Sequence, residues 1–553
     1  MGPGPVRWFD WSEEAFRKAE AEDRPILLFL TAAWCQGGRN MEETVFSGEE
    51  VAETLERDFV PVRVDADRRP DINDRYNMGG WPTTAFLLPS GEILGGTTYV
   101  GRDQMASLLA RVRSAYEAQR GRILGELARR EDLRRAREAE ANLPGIAAPS
   151  LEIFRKTVRG ILATFDLEHG GFGRAPKYPM TSSLRAVLQA YVETGGPDFK
   201  QVLVKTLEAM GRGLYDAEEG GFFRYATDDA WTAARSEKIG EDNAELVRLY
   251  LDASVATGEE RFAAKARHAL GWVRATLYDE RRGVFRGSQA GDEDYYRAPA
   301  GERRRRVPPP VDPTVYVPAC SAMISACLRA TQVLGAREFE EMALRALDFL
   351  LRECIREEGV AHYHDGEPRV FHLACDRIAL GGALLDALEH TGEGRYEEAA
   401  RAVAERLVPA FWSEDPKGIV DRLPAAGDRG QLARPARLIG ENGRAAEVLA
   451  RLWRRGAGDA WGEWARRILT AWPDFLDGYG HFTAEYALAA DWLVRPPVEI
   501  TVGAPALRAP ALRPYLPRRV VRYDASGRLT VVRGQERREA FTAEEAAEIL
   551  EGP

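Results

Sequence analysis

The stretch ILLFLTAAWCQGG, from Ile26 to Gly38, decides how the first part of the chain folds. It opens with a nearly continuous apolar run of strand length, which predicts a buried strand that ends at Trp34. Cys35 follows where a helix is expected to begin. Further along, WPTTAF (Trp81 to Phe86) predicts a second strand, and its Pro82 is expected to face the cysteine. The sequence therefore places one cysteine and one proline opposite each other at a strand–helix junction.

Cys35 has no second sulfur at the position that dithiol chemistry requires, because the residue three places later is Gly38. A cysteine at a helix N-terminus meets unpaired amides and the positive end of the helix dipole, which favour the thiolate. Such a thiolate can form a mixed disulfide but cannot resolve it within the chain. The alternatives are a catalytic monothiol, with Trp34, Trp81 and Pro82 lining its site, and a relic cysteine on an inherited scaffold.

The elements around this junction follow the order of a thioredoxin fold. Over residues 1–120 the predicted order is β-α-β-α-β-β-α. By similarity to that fold, the Trp81–Pro82 bond is expected to be cis. A charged helix then leads to the break NLPGIAAPS, so residues 121–150 are predicted to form a helical linker. The predicted helices are Asn40–Arg57, Arg68–Tyr76, Gln104–Tyr116 and Ala118–Ala139.

Residues 151–495 have the pattern of paired helices. About twelve stretches repeat apolar residues at the 3.6-residue period, and none has a convincing strand pattern. The loops also repeat: DLEHGGF ends at Phe172, DAEEGGF at Phe222 and DERRGVF at Phe285. A helix hairpin cannot bury its apolar face alone, so repeated pairs must stack on one another. Six pairs suit closure into an (α/α)6 toroid, and an open solenoid is the alternative.

The last segment, residues 496–553, changes composition again. VEITVG, RRVVRYD and RLTVVRG predict strands, and Thr542 to Glu545 has the capping-box pattern that opens a helix. The predicted fold class is therefore multidomain, α/β plus all-α. It consists of a thioredoxin-like domain, an (α/α)6 toroid and a small C-terminal α/β segment that closes against one or both.

Composition argues against several classes of function. The net charge of −10 disfavours nucleic acid as the main partner. No stretch approaches the ~20 apolar residues of a membrane span, and MGPGPVRWFDW lacks a signal-peptide core. Five cysteines without framework spacing fit a reducing cytosol, so we expect a cytoplasmic protein without membrane partners. Nucleotide fingerprints and metal-ligand spacings do not appear, so we expect neither a cofactor nor a metal site. The oligomeric state stays open.

Two groups of toroid residues are candidates for ligand binding. Carboxylates beside an aromatic ring suit sugar recognition, and two of them, Glu237 and Asp242, could transfer protons. The first group lies on a loop and the helix after it: Asp228, Asp229, Trp231, Glu237, Lys238, Asp242 and Asn243. The second lies in GGFGRAPKYP, where it could grip an anionic or hydroxylated ligand: Arg174, Lys177 and Tyr178. A solvated helix face and a proline-shaped loop are the structural alternatives. If the toroid is used, we expect an open cavity lined by residues 228–243.

These motifs together resemble the YyaL-like family, which includes the spermatogenesis-associated thioredoxin-like proteins and their bacterial relatives. The resemblance covers almost the whole chain. It implies a thioredoxin-like domain joined to an (α/α)6 barrel similar to that of N-acylglucosamine 2-epimerases and six-hairpin glycosidases. The motifs that carry it are MEETVF, VRVDADRRPDI, GGWPTTAFLLPSGE, GGFGRAPKYP, GGFFRYATDDAW, EKIGEDNAEL and RPPVEITVG.

Three polar motifs depart from the family pattern. Cys35-Gln36-Gly37-Gly38-Arg39 stands where relatives carry C-H-W-C-H. Residues 234–243 replace P-H-F-E-K-M-L-Y-D-N and lose its histidine, and Pro318-Ala319-Cys320 replaces D-W-N. These departures favour a divergent protein that binds a carbohydrate-like ligand or a protein partner in or near the toroid. A sugar epimerase or isomerase acting in the barrel is the alternative, and a monothiol redox protein using Cys35 is the second alternative.

Overall fold

The fold is described from a computed structural model over residues 6–141, 148–415, 417–425, 427–472 and 476–551. The chain forms two units. The first contains residues 1–143, 290–292 and 422–436, and the second contains residues 144–289, 293–421 and 437–553. The predicted break at 142–150 lies mostly outside the described residues.

The first unit has the thioredoxin-like fold, as predicted. Its sheet has the order β2-β1-β3-β4, in which β1 and β2 are parallel and the other pairs are antiparallel. The elements are α1 (Glu13–Glu22), β1 (Ile26–Thr31), α2 (Gln36–Thr44), α3 (Glu49–Asp58), β2 (Val60–Asp65), α4 (Pro70–Tyr76), β3 (Thr83–Leu87), β4 (Ile93–Thr97) and α5 (Arg102–Ala141).

Strand β1 is buried along its whole length because both faces of the sheet are covered. Side chains alternate between the faces of a strand, so Leu27 and Phe29 join one apolar cluster and Leu28 and Leu30 join the other. Two helix predictions need correction. The predicted helix 40–57 is interrupted around Ser47 and Gly48, whereas the predicted helices on either side of residue 117 are one continuous helix, α5. No proline interrupts that sequence.

Two segments from later in the chain complete the first unit. Leu432 packs into the same apolar cluster as Leu28 and Leu30. Arg422 is 1% exposed, and its guanidinium lies 3.2 Å from the Asp71 carboxylate and 2.7 Å from the Asp428 carboxylate. This addition could not be predicted from the sequence, since residues 422–436 carry no helix or strand pattern.

The second unit contains the predicted toroid. Twelve long helices alternate along the described residues between an outer and an inner layer. The helices of this region are α6 (Leu151–Ala163), α7 (Thr181–Thr194), α8 (Pro197–Gly213), α9 (Gly240–Thr257), α10 (Glu260–Trp272), the short α11 (Glu293–Arg297) and α12 (Ala300–Arg303), α13 (Val317–Leu334), α14 (Arg337–Glu353), α15 (Ala374–Thr391), α16 (Gly394–Phe411), α17 (Ile439–Arg454), α18 (Asp459–Thr470) and α19 (Ala484–Val494).

The inner helices form a closed ring. Each contacts the next in the series α7, α9, α13, α15, α17 and α19, and α19 contacts α7. An open solenoid would lack that last contact, so the toroid prediction is confirmed. Ion pairs join residues at equal depth on neighbouring inner helices: Arg329 with Asp252 at 2.5 Å, and Arg451 with Asp386 at 2.7 Å. The inner helices are therefore parallel, and their N-termini lie at one end of the ring.

The expectation of a strand-free toroid is wrong in detail. Segments of two or three residues form short, paired strands in the loops. Their extended backbone makes hydrogen bonds for groups that would have no partner in an irregular loop. They are β5 (Tyr225–Ala226), β6 (Ala234–Arg235), β7 (Lys238–Ile239), β8 (Tyr278–Asp279), β9 (Val284–Phe285), β10 (Ser288–Gln289), β11 (Val311–Asp312), β12 (Val315–Tyr316), β13 (Tyr363–His364), β14 (Pro368–Arg369), β15 (Trp412–Glu414) and β16 (Lys417–Ile419).

The repeated loop sequence forms the same tight turn each time. In the first three loops an aspartate closes a tight turn: its carboxylate accepts backbone amides two or three residues on, and its carbonyl accepts the amide of a glycine. The glycine before Phe172 and Phe222 has a positive φ and packs against a tryptophan ring, so a side chain there would clash. The three turns begin at Asp166, Asp216 and Asp279.

The C-terminal segment is a small α/β layer within the second unit. Its sheet has the order β18-β17-β19-β20, with one parallel pair, β17 and β18. The predicted capping box is present, because the Glu545 amide donates to the Thr542 hydroxyl and the Thr542 amide donates to the Glu545 carboxylate. The elements are β17 (Val498–Val502), α20 (Arg508–Leu512), β18 (Arg519–Tyr523), β19 (Leu529–Arg533), β20 (Glu536–Ala540) and α21 (Ala543–Glu551).

Among the described helices, α13 alone is long and apolar enough to cross a membrane by length and composition. Its mean hydropathy is 1.3, but most of it is buried. It packs against α9, α14 and α15 as part of the inner ring. These contacts are those of a core helix.

Candidate functional site

The cysteine turn lies at the junction that the sequence predicts. Cys35 is the N-cap residue of α2, and its sulfur accepts a hydrogen bond from the Gly38 amide at 3.3 Å. The Trp34 and Trp81 rings meet edge to face with their centroids 5.7 Å apart. The Trp81–Pro82 bond is cis, as expected. The turn thus keeps its inherited geometry around a single sulfur.

The space for a second cysteine is filled. A Cβ atom on Gly38 would lie 2.0 Å from the hydroxyl oxygen of Thr31 at the end of β1. Glycine is therefore required at this position unless Thr31 moves. The turn is adapted to the absence of the second thiol, which argues against a dithiol site.

The cysteine turn is also covered. The Gly291 amide donates to the Trp34 carbonyl at 3.2 Å, and the Arg39 guanidinium donates to the Gly291 carbonyl at 2.6 Å. Cys35 itself is only 2% exposed. A partner disulfide cannot approach this sulfur without a local opening of the turn.

We expect native thiols to react at least about 100-fold more slowly than an exposed cysteine, because attack requires local opening. Four of the five cysteines are buried, and the fifth, Cys375, is half-buried. Loss of hydration and the neighbouring Asp376 carboxylate raise the pKa of the Cys375 thiol well above its ordinary value. Reaction with an aromatic disulfide reagent, before and after denaturation, measures the rate at which the thiols react. The Cys35→Ser variant shows whether a fast phase of this reaction belongs to Cys35. A fast native phase that this variant removes would instead support the monothiol alternative.

Two of the predicted ligand-binding lysines are buried inside the repeated turns. Lys177 donates to the carboxylate of Asp166 and to the Gly170 carbonyl. Lys238 makes the same pair of bonds one repeat later, at 2.7 Å to Asp216 and 2.7 Å to the Gly220 carbonyl. These bonds hold each loop closed from inside. The contacts seen are internal, and a contact with a ligand stays a prediction for both.

Trp231 and Asn243 have similar internal contacts. The Trp231 indole donates to the Gly170 carbonyl at 3.1 Å and is 1% exposed. The Asn243 amide group accepts from the Phe222 amide at 2.6 Å and donates to the Phe222 carbonyl at 3.0 Å. Asn442 at the start of α17 binds Ile419 in the same way. The arrangement therefore belongs to the repeat and fastens a loop to an inner helix.

Asp228, Asp229 and Arg174 lie on exposed loops. Asp228 accepts the Thr232 and Ala233 amides within its own turn. Asp229 accepts the Ala175 amide at 2.6 Å and lies 3.7 Å from the Arg174 guanidinium. These contacts tie the two candidate loops to each other.

Tyr178, Glu237 and Asp242 are brought together. The Tyr178 ring is 39% exposed and stacks on Tyr225 with centroids 4.7 Å apart. Asp242 and Glu237 lie within electrostatic range of its hydroxyl, and Arg224 lies near Asp242. Glu237 precedes α9 by three residues, so it lies on the loop before the helix. We call these five residues the aromatic–acidic cluster.

Asp242 stands in the first turn of α9 with Glu241, at the N-terminal end of the inner ring. Burial raises its pKa to about 7; Arg224 opposes the shift, and the neighbouring carboxylates of Glu241 and Glu245 add to it. Burial and Glu245 likewise raise the pKa of Glu241. A carboxyl group with such a pKa can both donate and accept a proton near neutral pH.

A central cavity of about 110 Å³ lies deeper in the ring. It is not lined by residues 228–243, so that expectation is wrong; those residues belong to loops and the first turn of α9, nearer the end of the ring. Its walls are instead charged side chains from the middle of the inner helices, closed by residues 514–519. The charged lining residues are Arg185, Arg248, Asp252, Arg329, Asp386, Glu389, Glu447, Arg451, Arg518 and Arg519.

The charges around this cavity are paired with one another. Asp386 lies 2.7 Å from Arg451 and 3.2 Å from Arg248. Burial would raise the pKa of Asp386, but the two guanidinium groups outweigh it and hold that pKa below its ordinary value. The cavity therefore serves mainly as an ion-pair network. The end of the ring where the inner helices begin holds two carboxyl groups with raised pKa values, Glu241 and Asp242.

Three further side chains meet at that end, and sequence spacing did not reveal them. His362 Nδ1 lies 2.7 Å from Asp376 Oδ1, and the Cys375 sulfur lies 3.7 Å from the same oxygen. Cys375 and Asp376 are in the first turn of α15, while His362 adjoins β13. In the sequence, His362 stands out as a loop histidine close to His364, whereas Cys375 and Asp376 are marked only as adjacent polar residues that open an apolar helix.

Comparisons with known proteins agree with this architecture. Residues 3–133 match the family described as "Protein of unknown function, DUF255". The chain is 30% identical to human spermatogenesis-associated protein 20 over 342 residues, 56% of this chain and 43% of that protein. The resemblance to the spermatogenesis-associated thioredoxin-like proteins is confirmed. The rat protein is 31% identical over 52% of this chain and 39% of its own length. The chain thus spans less than half the length of these curated relatives.

A structural comparison finds the toroid fold among sugar epimerases. Cellobiose 2-epimerase from Spirochaeta thermophila aligns with a TM-score of 0.50 and 15% identity, over 62% of this chain and 98% of that chain. At this identity the likeness shows the fold alone.

The positions at which this chain departs from the motifs of the proteins it resembles have structural partners of their own. Gly38 leaves room for Thr31. Arg235 pairs with Glu293 at 3.0 Å, and Cys320 is buried as an apolar side chain of α13. Each replacement is accommodated by its surroundings.

Proposed function

We propose that the toroid binds a carbohydrate-like ligand at the N-terminal end of its inner helices, in contact with the aromatic–acidic cluster. The observation that carries this proposal is the exposed Tyr178 ring beside the carboxyl groups of Asp242 and Glu237. Sugars combine apolar C–H faces with hydroxyl groups that donate and accept hydrogen bonds. An aromatic face beside carboxyl and guanidinium groups complements both.

The thioredoxin-like unit contributes no thiol chemistry in this proposal. Its sulfur is buried, and Thr31 fills the place of the second cysteine. Its role is then a structural one or the binding of a protein partner.

Binding is tested by titration calorimetry with a monosaccharide aldose, a disaccharide such as cellobiose, and a sugar phosphate. We expect Asp242→Asn and Tyr178→Ala to weaken binding at least about 10-fold, or 1.4 kcal/mol. Asp198→Asn, an exposed aspartate in the first turn of α8, is the matched control and should bind as wild type. Equal affinity in all variants would contradict the site, and no binding by any probe would favour a protein partner.

A second candidate, sugar epimerisation or isomerisation, is favoured by the pKa of Asp242 near 7. General acid–base groups of this kind accelerate proton transfer by about 10²–10⁴-fold. Exchange of a sugar C–H proton with deuterated water, followed by NMR, would reveal the reaction. Loss of that exchange in Asp242→Asn, with a folded protein, would assign the proton transfer to this residue. Ligand binding without exchange would leave binding as the function.

A further inference from the structure

We propose that His362, Cys375 and Asp376 form a binding site for one divalent transition-metal ion of the zinc class. One ligand atom of each residue lies within 4.8 Å of the others. Imidazole nitrogen, thiolate sulfur and carboxylate oxygen are the donors that zinc takes in proteins. This site goes beyond the proposed function and uses none of the aromatic–acidic cluster.

The second observation is an unsatisfied oxygen. Asp376 is fully buried, and its Oδ2 atom has no hydrogen-bond partner among the described residues. A buried carboxylate oxygen without a partner costs about 1–3 kcal/mol or more, so natural proteins seldom leave one open. A cation bound between the three residues would satisfy it.

The distances require only a modest adjustment. Tetrahedral zinc with bonds of about 2.0–2.3 Å places its ligand atoms about 3.3–3.8 Å apart. Side-chain rotation therefore has to draw the most distant donors together by about 1–1.5 Å. His362 Nδ1 and Asp376 Oδ1, which lie 2.7 Å apart, have to separate slightly if both bind the ion. The backbone of His362 is fixed by its hydrogen bonds to Arg369, Val370 and Val317, which leaves Cys375 and Asp376 to adjust at the start of α15.

Surrounding charge also favours a cation. Glu241 and Glu441 lie within electrostatic range of Cys375 in addition to Asp376, against one guanidinium, that of Arg444. Three protein donors would leave a fourth position for water or a ligand, as in zinc sites that act on substrates. That position would adjoin Glu241, whose side chain is within electrostatic range of His362 and Asp376.

The test uses the full-length chain, stripped of metal with a chelator and titrated with Co²⁺, a spectroscopic substitute for Zn²⁺. We expect one ion per chain by elemental analysis and a thiolate-to-cobalt charge-transfer band. Cys375→Ser should abolish that band, and His362→Gln and Asp376→Asn should weaken binding more than about 100-fold, beyond the loss typical of an outer-shell partner. Circular dichroism checks that each variant is folded.

Cys327→Ala is the matched control, because Cys327 is a buried thiol of α13 outside the cluster. It should leave the cobalt spectrum unchanged. Failure of the wild-type protein to bind Co²⁺ or Zn²⁺ stoichiometrically would overturn the proposal, and so would a band that survives in Cys375→Ser. Sugar binding is measured separately on the metal-free protein, and Asp242→Asn should retain the metal, so the two proposals can fail independently.

Discussion

The Asp216→Asn variant is expected to lose about 3–5 kcal/mol of unfolding free energy, the largest loss of any single change considered. Asp216 is 3% exposed, and its carboxylate lies 2.7 Å from the Lys238 ammonium and 2.8 Å from the Arg303 guanidinium. An amide at this position would leave two buried cations without their counter-charge. Denaturant unfolding followed by circular dichroism measures the loss.

Two controls separate the missing charge from general disruption. Asp198→Asn, on the surface of α8, should change stability by less than about 0.5 kcal/mol. Lys238→Met should cost less than Asp216→Asn, because Arg303 still pairs with the aspartate and the methionine fills an apolar space between Trp272 and Tyr296. Equal losses from Asp216→Asn and Asp198→Asn would show that the buried triad does not stabilise this loop.

The architecture could be predicted because its signals are local. Strand β1 follows from an apolar run between polar neighbours, and the repeated turns carry their aspartate, glycines and phenylalanine within seven residues. Both patterns fix backbone conformation over a few positions. Closure of the ring then follows from counting helix pairs that cannot be stable alone.

The roles of the polar residues could not be predicted in the same way. In a sequence, a lysine beside a loop has the same pattern whether its side chain binds a ligand or a buried carboxylate. Lys177 and Lys238 pair with aspartates that lie 11 and 22 residues earlier in the chain. Each lysine meets its aspartate only once the chain is folded. The same holds for His362 and Asp376, whose contact depends on a loop folding back onto the start of α15. Sequence spacing of metal ligands misses such a pair.

The second large effect concerns the pH dependence of stability at Asp242. Its pKa rises from 3.8 to about 7 on folding, mainly because the half-buried carboxyl group loses hydration. The unfolded chain therefore releases this proton near pH 4, whereas the folded protein keeps it up to about pH 7. Folded protein binds more protons in that window, so this group's contribution to stability is complete below pH 4 and is lost as the pH rises to about 7.

The Asp242→Asn variant has no ionisable group at this position, so the fall in unfolding free energy between pH 4 and about pH 7 that is due to Asp242 should be absent from it. At pH 4 the variant and the wild-type protein should have similar unfolding free energies. At pH 8 the variant should be the more stable by about 2–4 kcal/mol. The shift of about three pKa units corresponds to about 4 kcal/mol at about 1.4 kcal/mol per unit, and water that reaches the half-buried carboxyl group reduces this figure. Urea unfolding at a series of pH values measures the difference, and the exposed control Asp198→Asn should give a difference that does not grow between pH 4 and pH 8.

The comparison of stability with binding then decides what Asp242 is for. A residue that lowers stability at neutral pH and contributes nothing else is readily replaced, because most functional proteins tolerate stabilising changes. If Asp242→Asn is more stable at pH 8 but loses sugar binding, the aspartate is retained for the ligand at a cost in stability. If the variant is more stable and binds as wild type, the aromatic–acidic cluster is not the site. A variant with no gain in stability at pH 8 would mean that the carboxylate is already satisfied inside the ring.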